Sequence, residues 1–226
     1  MSTKLNVENA RVLVFSKKKL ILPLGYFAYL FLVRILLNDV LGDWLNAHIS
    51  QDVPGSCVWA LLKGIHWCLP IVLYLAWRRR LISYLIQKYG RGVQPWPLLF
   101  VPLGWGLILL LQDHGKIPPL TFYLVLNSII VTPIVEEFVF RGFMLDTLTS
   151  LWGSRKSNMA QAILFSLNHL PWFYALGLFG QPLFLAGRLI FLMVFGLVTG
   201  YLAMRSRSLW LSMAFHAVNN LLTNYP

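Results

Sequence analysis

Glu136 and Glu137 are two of only eight acidic residues in the chain. They stand side by side in a stretch that is otherwise almost wholly apolar from Ile129 to Phe140. A carboxylate at membrane depth is costly, and ionisable groups that persist there usually have a function. Two adjacent carboxylates oppose each other's ionisation and need separate partners. Arg141 follows Glu137 by four residues. On a helix this is the favoured spacing for an ion pair with the acid N-terminal. Glu136 is rotated about 100° from Glu137 and faces elsewhere. The spacing therefore divides the labour: Glu137 is a charged anchor held by Arg141, and Glu136 is free to act as a general base. The bland alternative ends the helix at Pro133 and leaves both glutamates in water.

Two histidines also interrupt apolar surroundings. His169 precedes Leu170-Pro171, and His216 is followed by Asn219 and Asn220 at i+3 and i+4. Asn220 shares a helical face with His216. A lone helical histidine is more often a packed polar residue than a catalyst, and His66 is assigned that role. Arg34 and Arg188 are expected to snorkel or pair near the outer face. Other chemistries lack their signatures. There is no His-Glu-x-x-His helix, no Gly-x-Ser-x-Gly elbow and no glycine-rich phosphate loop.

The elements that must position these groups follow from composition. Of 226 residues, 58% are hydrophobic and 12% charged, with a mean hydropathy of +0.65. A soluble domain carries about twice that share of charge, so the apolar excess requires lipid. Seven candidate spans run over about 20–37, 58–77, 96–111, 120–140 or on to 152, from 158 to a break at Pro171, 183–204 and 209–222. A lone span in lipid satisfies its backbone only as a helix. The predicted fold is thus all-α, a polytopic transmembrane bundle of one domain over residues 17–226, with residues 1–16 a cytoplasmic tail and residues 81–95 interfacial. The net charge of +11 sits in clusters at span ends: Lys17–Lys19, Arg78–Arg80 with Lys88 and Arg91, Arg155–Lys156, and Arg205 with Arg207. All fall on one side if the N-terminus is cytoplasmic, so nucleic acid is not the partner. Asp39, Asp43, Asp52 and Asp113 fall on the other. Trp77, Trp96, Trp152 and Trp210 mark the cytoplasmic boundary. From that boundary His216 lies about 12 Å deep, His169 about 18 Å and, with the fourth helix running to Leu151, Glu137 about 21 Å, at 1.5 Å per residue. The fourth, fifth and seventh spans can therefore bring them to one level. Cys57 and Cys68, roughly 16 Å apart on one helix, cannot bond to each other within it.

Glu136-Glu137-Phe138-Val139-Phe140-Arg141 resembles the EExxxR motif of the CAAX protease and bacteriocin-processing (Abi) family. Phe165 to His169 resembles its FxxxH motif, and His216 to Asn220 its HxxxN motif, in the right order over residues 118–222. The resemblance implies a helical intramembrane endopeptidase with a water-filled cavity open toward the cytosol. It implies that Glu136 and His169 activate water and that His216 and Asn220 form the oxyanion site, with Glu137 and Arg141 supporting. Two histidines and a glutamate are also a donor set that zinc accepts, but the expectation is a metal-free site with no cofactor. The expected setting is a bacterial plasma membrane, with a membrane-associated peptide or protein as substrate and a role in bacteriocin maturation or self-immunity. A non-catalytic immunity protein that keeps the motifs as a polar core is the competing class, and a proton or ion pathway a third.

Overall fold

The computed structural model describes residues 20–37, 41–50, 52–90, 96–112 and 119–223. The tail 1–16, the Lys17–Lys19 cluster, Arg91, Asp39 and Asp113 lie outside the described residues. Within them every regular element is helical. Helix α1 is Leu20–Ile35, α2 Gly42–His48, α3 Val53–Trp77, α4 Leu81–Tyr89 and α5 Phe100–Gln112, preceded by a 3₁₀ turn at Trp96–Leu99. A π-helical segment, Leu124–Val131, leads into α6, Thr132–Glu137. A second, Phe138–Met144, leads on to α7, Leu145–Leu167. The chain ends with α8 Leu170–Ala175, α9 Pro182–Ser206 and α10 Trp210–Thr223.

Helices α3 and α9 are long and apolar enough to cross a bilayer, and Leu20–Ile35 and Pro97–Gln112 are shorter apolar helices. The outer surface is apolar: Leu183, Trp77, Ile82 and Leu111 are each at least 70% exposed. Such a surface is a liability in water and ordinary in lipid. Asp52 caps α3 by accepting from the Gly55 amide, and Ser50 Oγ donates to the same carboxylate oxygen. These two bonds, the Ser50 one foremost, hold the Asp52 carboxyl below the usual carboxylate range.

The fourth span takes the longer of its two expected forms: it continues past Phe140 into α7, which is interrupted at Gly153 (φ 73°, ψ 167°), a backbone state open to glycine. Exposed Arg155 and Lys156 follow directly. The fifth helix ends at Leu167, before His169. The Pro171 ring would strike the carbonyl four residues earlier, which is Leu167, so His169 becomes the residue that starts α8. The stretch after Arg80 forms α4, which buries no residue.

The tightest seam joins α7 to α9. Gly196 and Gly200 sit one turn apart on α9. A Cβ on Gly200 would lie 1.9 Å from Asn158 Oδ1, and one on Gly196 would lie 3.0 Å from Ala162. The close approach lets Asn158 Nδ2 donate to Leu197 O (3.0 Å) and Gln161 Nε2 to Gly196 O (2.8 Å). Small residues with polar side chains across the seam are how helices associate in lipid.

Candidate active site

The local backbone at the site follows from Pro133. In the π segment each N–H reaches back five residues, as Thr132 N–H does to Asn127 O. Pro133 has no N–H, so the carbonyl of Ser128 loses its helical donor. Asn220 Nδ2 of α10 supplies one at 2.8 Å. Thr132 Oγ1 donates to Asn127 O at 2.6 Å, and Asn127 Nδ2 donates to Ser56 O of α3 at 3.1 Å. The helix carrying the glutamates is thereby tied to α3 on one side and α10 on the other.

Neither glutamate is in water: Glu136 is 3% exposed and Glu137 is fully buried. The helix passes Pro133 unbroken, which overturns the bland alternative. Glu137 Oε1 accepts from Arg141 Nη1 at 3.0 Å and faces His216 Nδ1 at 2.8 Å. Glu137 thus has a second task that its spacing to Arg141 did not reveal. It orients the ring of His216, whose Nε2 lies 4.0 Å from Glu136 Oε2. The Arg141 guanidinium is 4.2 Å from the centre of the Phe165 ring. The same ring lies 4.9 Å from that of His169 and 6.3 Å from that of His216. The phenylalanine of the second motif is therefore the apolar wall against which the charged groups are packed.

Glu136, His169, His216, Asn219 and Asn220 all line one cavity of about 890 Å³, and Glu137 and Arg141 sit behind its wall. His169 Nδ1 faces Phe165 O at 2.8 Å. A carbonyl only accepts, so Nδ1 carries the proton and Nε2 the lone pair. Asn219 Oδ1 accepts from Trp105 Nε1 at 3.3 Å.

Three cavity residues were not foreseen. Lys63 Nζ of α3 donates to Glu136 Oε1 at 3.1 Å and to Thr132 Oγ1 at 2.6 Å. Its signal was available: it lies ten residues into α3, where the rule that places cations at span ends does not put one. Arg34 pairs rather than snorkels: it lines the cavity, donates to Asn168 O at 3.1 Å and lies over Trp67. His66 also faces the cavity, with Nδ1 on Leu62 O of its own helix.

Removing the Lys63 charge tests its hold on Glu136. Lys63→Met should lower kcat on the order of tenfold to a hundredfold, the cost of a misplaced reacting group, with KM little changed. Lys63→Arg should recover much of the loss. Steady-state kinetics on the folded fraction checks this.

An all-helical, apolar-surfaced protein with carboxylates, histidines and an amide around one buried cavity defines a class: a membrane-embedded protein with an interior polar site. Residues 118–222 match the family model described as Type II CAAX prenyl endopeptidase Rce1-like. That segment, just under half of the chain, carries all six predicted site residues, and its similarity to this family supports a membrane-embedded peptidase acting on a peptide or protein. No curated protein and no solved structure matched the chain.

Proposed function

We propose that the protein is a glutamate-type intramembrane endopeptidase, multi-pass in a bacterial plasma membrane with seven spans and a cytoplasmic N-terminus, and that it hydrolyses a membrane-associated peptide or protein in bacteriocin maturation or self-immunity. The observation that carries this is the convergence of Glu136, His169, His216 and Asn220 from three helical elements on one cavity.

The chemistry follows from the atoms available. Lys63 occupies Glu136 Oε1 and leaves Oε2 for a water. That water, polarised also by the Nε2 lone pair of His169, attacks the scissile carbonyl carbon as its proton passes to Glu136. The carbonyl oxygen becomes an oxyanion. His216 Nε2, when protonated, and the second N–H of the Asn220 amide stabilise it. Collapse of the intermediate breaks the C–N bond, and the proton on Glu136 goes to the leaving amine. The products are one carboxylate and one amine. Donors aimed at developing charge in a dry cavity are an effective way to stabilise such a transition state.

The donor set favours a site that works without a metal. Lys63 already places a positive charge on Glu136 where a divalent cation would have to bind. The same ion pair is the observation that favours the competing class, a non-catalytic immunity protein with a satisfied polar core.

Loss of an oxyanion donor costs on the order of a hundredfold or more in rate. Asn220→Ala should show this loss in kcat on the folded fraction. Asn219→Ala, whose amide oxygen is held by Trp105, should be milder. Equal effects of both would remove Asn220 from the oxyanion role. Peptidomics of membranes from cells with and without the protein tests the activity itself. New peptide termini that depend on the protein are expected. Identical termini, with a phenotype that survives Glu136→Gln, would favour the non-enzymatic class.

A further inference from the structure

The cavity does not run through the bundle. Helix α3 lines it from Trp59 to Trp67 and contributes nothing beyond. The glutamate helix lines it from Tyr123 to Glu136 and no further, and α10 only from His216 onward. Glu136, Trp67, Phe165 and His216 form its floor. At its mouth lie Ile49 and Ser50, just before α3, and Leu176, just after α8. Ser50 and Leu176 are exposed. The mouth is therefore at the end where α1 finishes, α3 starts, and α7 and α10 finish. Contacts hold these termini together: Arg34 to Asn168 O, Asn127 to Ser56 O and Asn220 to Ser128 O.

Arg34, Lys63 and Arg188 lie within helices on the mouth side or at the cavity, but the basic clusters that flank helix ends are, among the described residues, at the opposite end. Arg78 to Arg80 follow the last residue of α3, and Arg205 and Arg207 end α9. Arg155 and Lys156 follow the interruption of α7 at Gly153. Lys88 pairs with Asp146 at 2.7 Å, and its carbonyl accepts from Leu209 N and Ser208 Oγ in the turn between α9 and α10. Helix α4 and that turn thus share one end of the molecule. Between this end and the cavity lies the packed layer of Phe140, Met144, Leu202 and Leu211.

Basic span ends stay in the cytoplasm. A cavity open to the cytosol and basic ends in the cytosol are incompatible in this fold. We infer that the cavity opens to the non-cytoplasmic face of the membrane, and that its substrate is a peptide segment presented on that face after export or insertion. The inference about substrate rests on the hydrolytic reading; the sidedness of the cavity does not.

Single cysteines in a background of Cys57→Ala and Cys68→Ala test it in intact cells with a membrane-impermeant polyethylene-glycol maleimide. Ser50→Cys and Leu176→Cys should label in intact cells. Lys156→Cys and Arg205→Cys should label only after lysis. The reverse pattern overturns the inference. In membranes, attaching the bulky reagent at Leu176→Cys should reduce formation of protein-dependent peptide termini at least about fivefold relative to the unlabelled variant. The same attachment at Arg205→Cys should not. Equal loss at both ends, or none at Leu176→Cys, overturns entry through this mouth. A wild-type protein that produces no new termini, with the expected labelling pattern, rejects the hydrolytic reading and the substrate assignment with it, and leaves the sidedness established by labelling alone.

Discussion

Arg141→Ala is expected to cost the protein its fold before it costs any chemistry. Arg141 and Glu137 are both fully buried and 3.0 Å apart. Removing one member of such a pair strands the other charge and typically costs about 3–5 kcal/mol, a large share of the stability of a small domain. The damage should spread. Glu137 Oε1 also holds His216, and the guanidinium packs on Phe165, which in turn packs on both histidines. The yield of folded, detergent-extractable protein should fall sharply, and the residual folded fraction should be slow. Arg141→Lys keeps a charge but reaches Glu137 through a single point donor, so it should be intermediate in yield. A fully stable and active Arg141→Ala protein would show that the pair is not structural.

The pairing of Glu137 with Arg141 was legible in the sequence because a four-residue spacing between opposite charges has one geometric meaning on a helix. The convergence of Glu136, His169, His216 and Asn220 was legible for a related reason. Depth along a span is countable, and three apolar helices with polar residues at compatible depths have few ways to satisfy them. Other features carried no such signal. The π-helical segments around α6 have no composition of their own, and only Pro133 hints that a carbonyl there needs a partner from elsewhere. That the partner is Asn220 depends on how α10 crosses the glutamate helix, which no spacing within either element fixes. Arg34 was expected to snorkel or pair; that its partners are Asn168 O and the Trp67 ring depends on how α1 packs, which its sequence position does not fix. Lys63 was the avoidable omission. A lysine in the middle of a long apolar helix is as anomalous as a glutamate there, and the structure has it holding the glutamate in question. The Gly196–Gly200 seam was also readable as small residues one turn apart, but its polar partners, Asn158 and Gln161, come from α7 and appear only in the packing.

Glu136→Gln is expected to abolish turnover while leaving the fold intact. The change keeps the shape of the side chain and, on the proposed mechanism, removes the group that takes the proton from water. General-base assistance alone contributes about 10²–10⁴-fold. The loss should be at the upper end, because the amide also ends the ion pair with Lys63 that aims the side chain. Lys63 keeps its bond to Thr132 Oγ1 and is partly exposed to the cavity, so the stranded ammonium should be tolerated and the protein should remain extractable. The two variants therefore separate: Arg141→Ala loses protein, and Glu136→Gln loses only rate. A polar core with no catalytic duty predicts a different outcome, in which Glu136→Gln changes stability or partner binding and no peptide chemistry.

The most direct measurement uses purified protein in detergent, incubated with peptides extracted from the membranes of cells that lack it, and reads new peptide termini by mass spectrometry. Wild-type protein should create discrete termini that increase with time and persist in the presence of a chelator, and Glu136→Gln protein, folded to the same extent, should create none. Termini that appear equally with both proteins, or with neither, would contradict an endopeptidase built on Glu136.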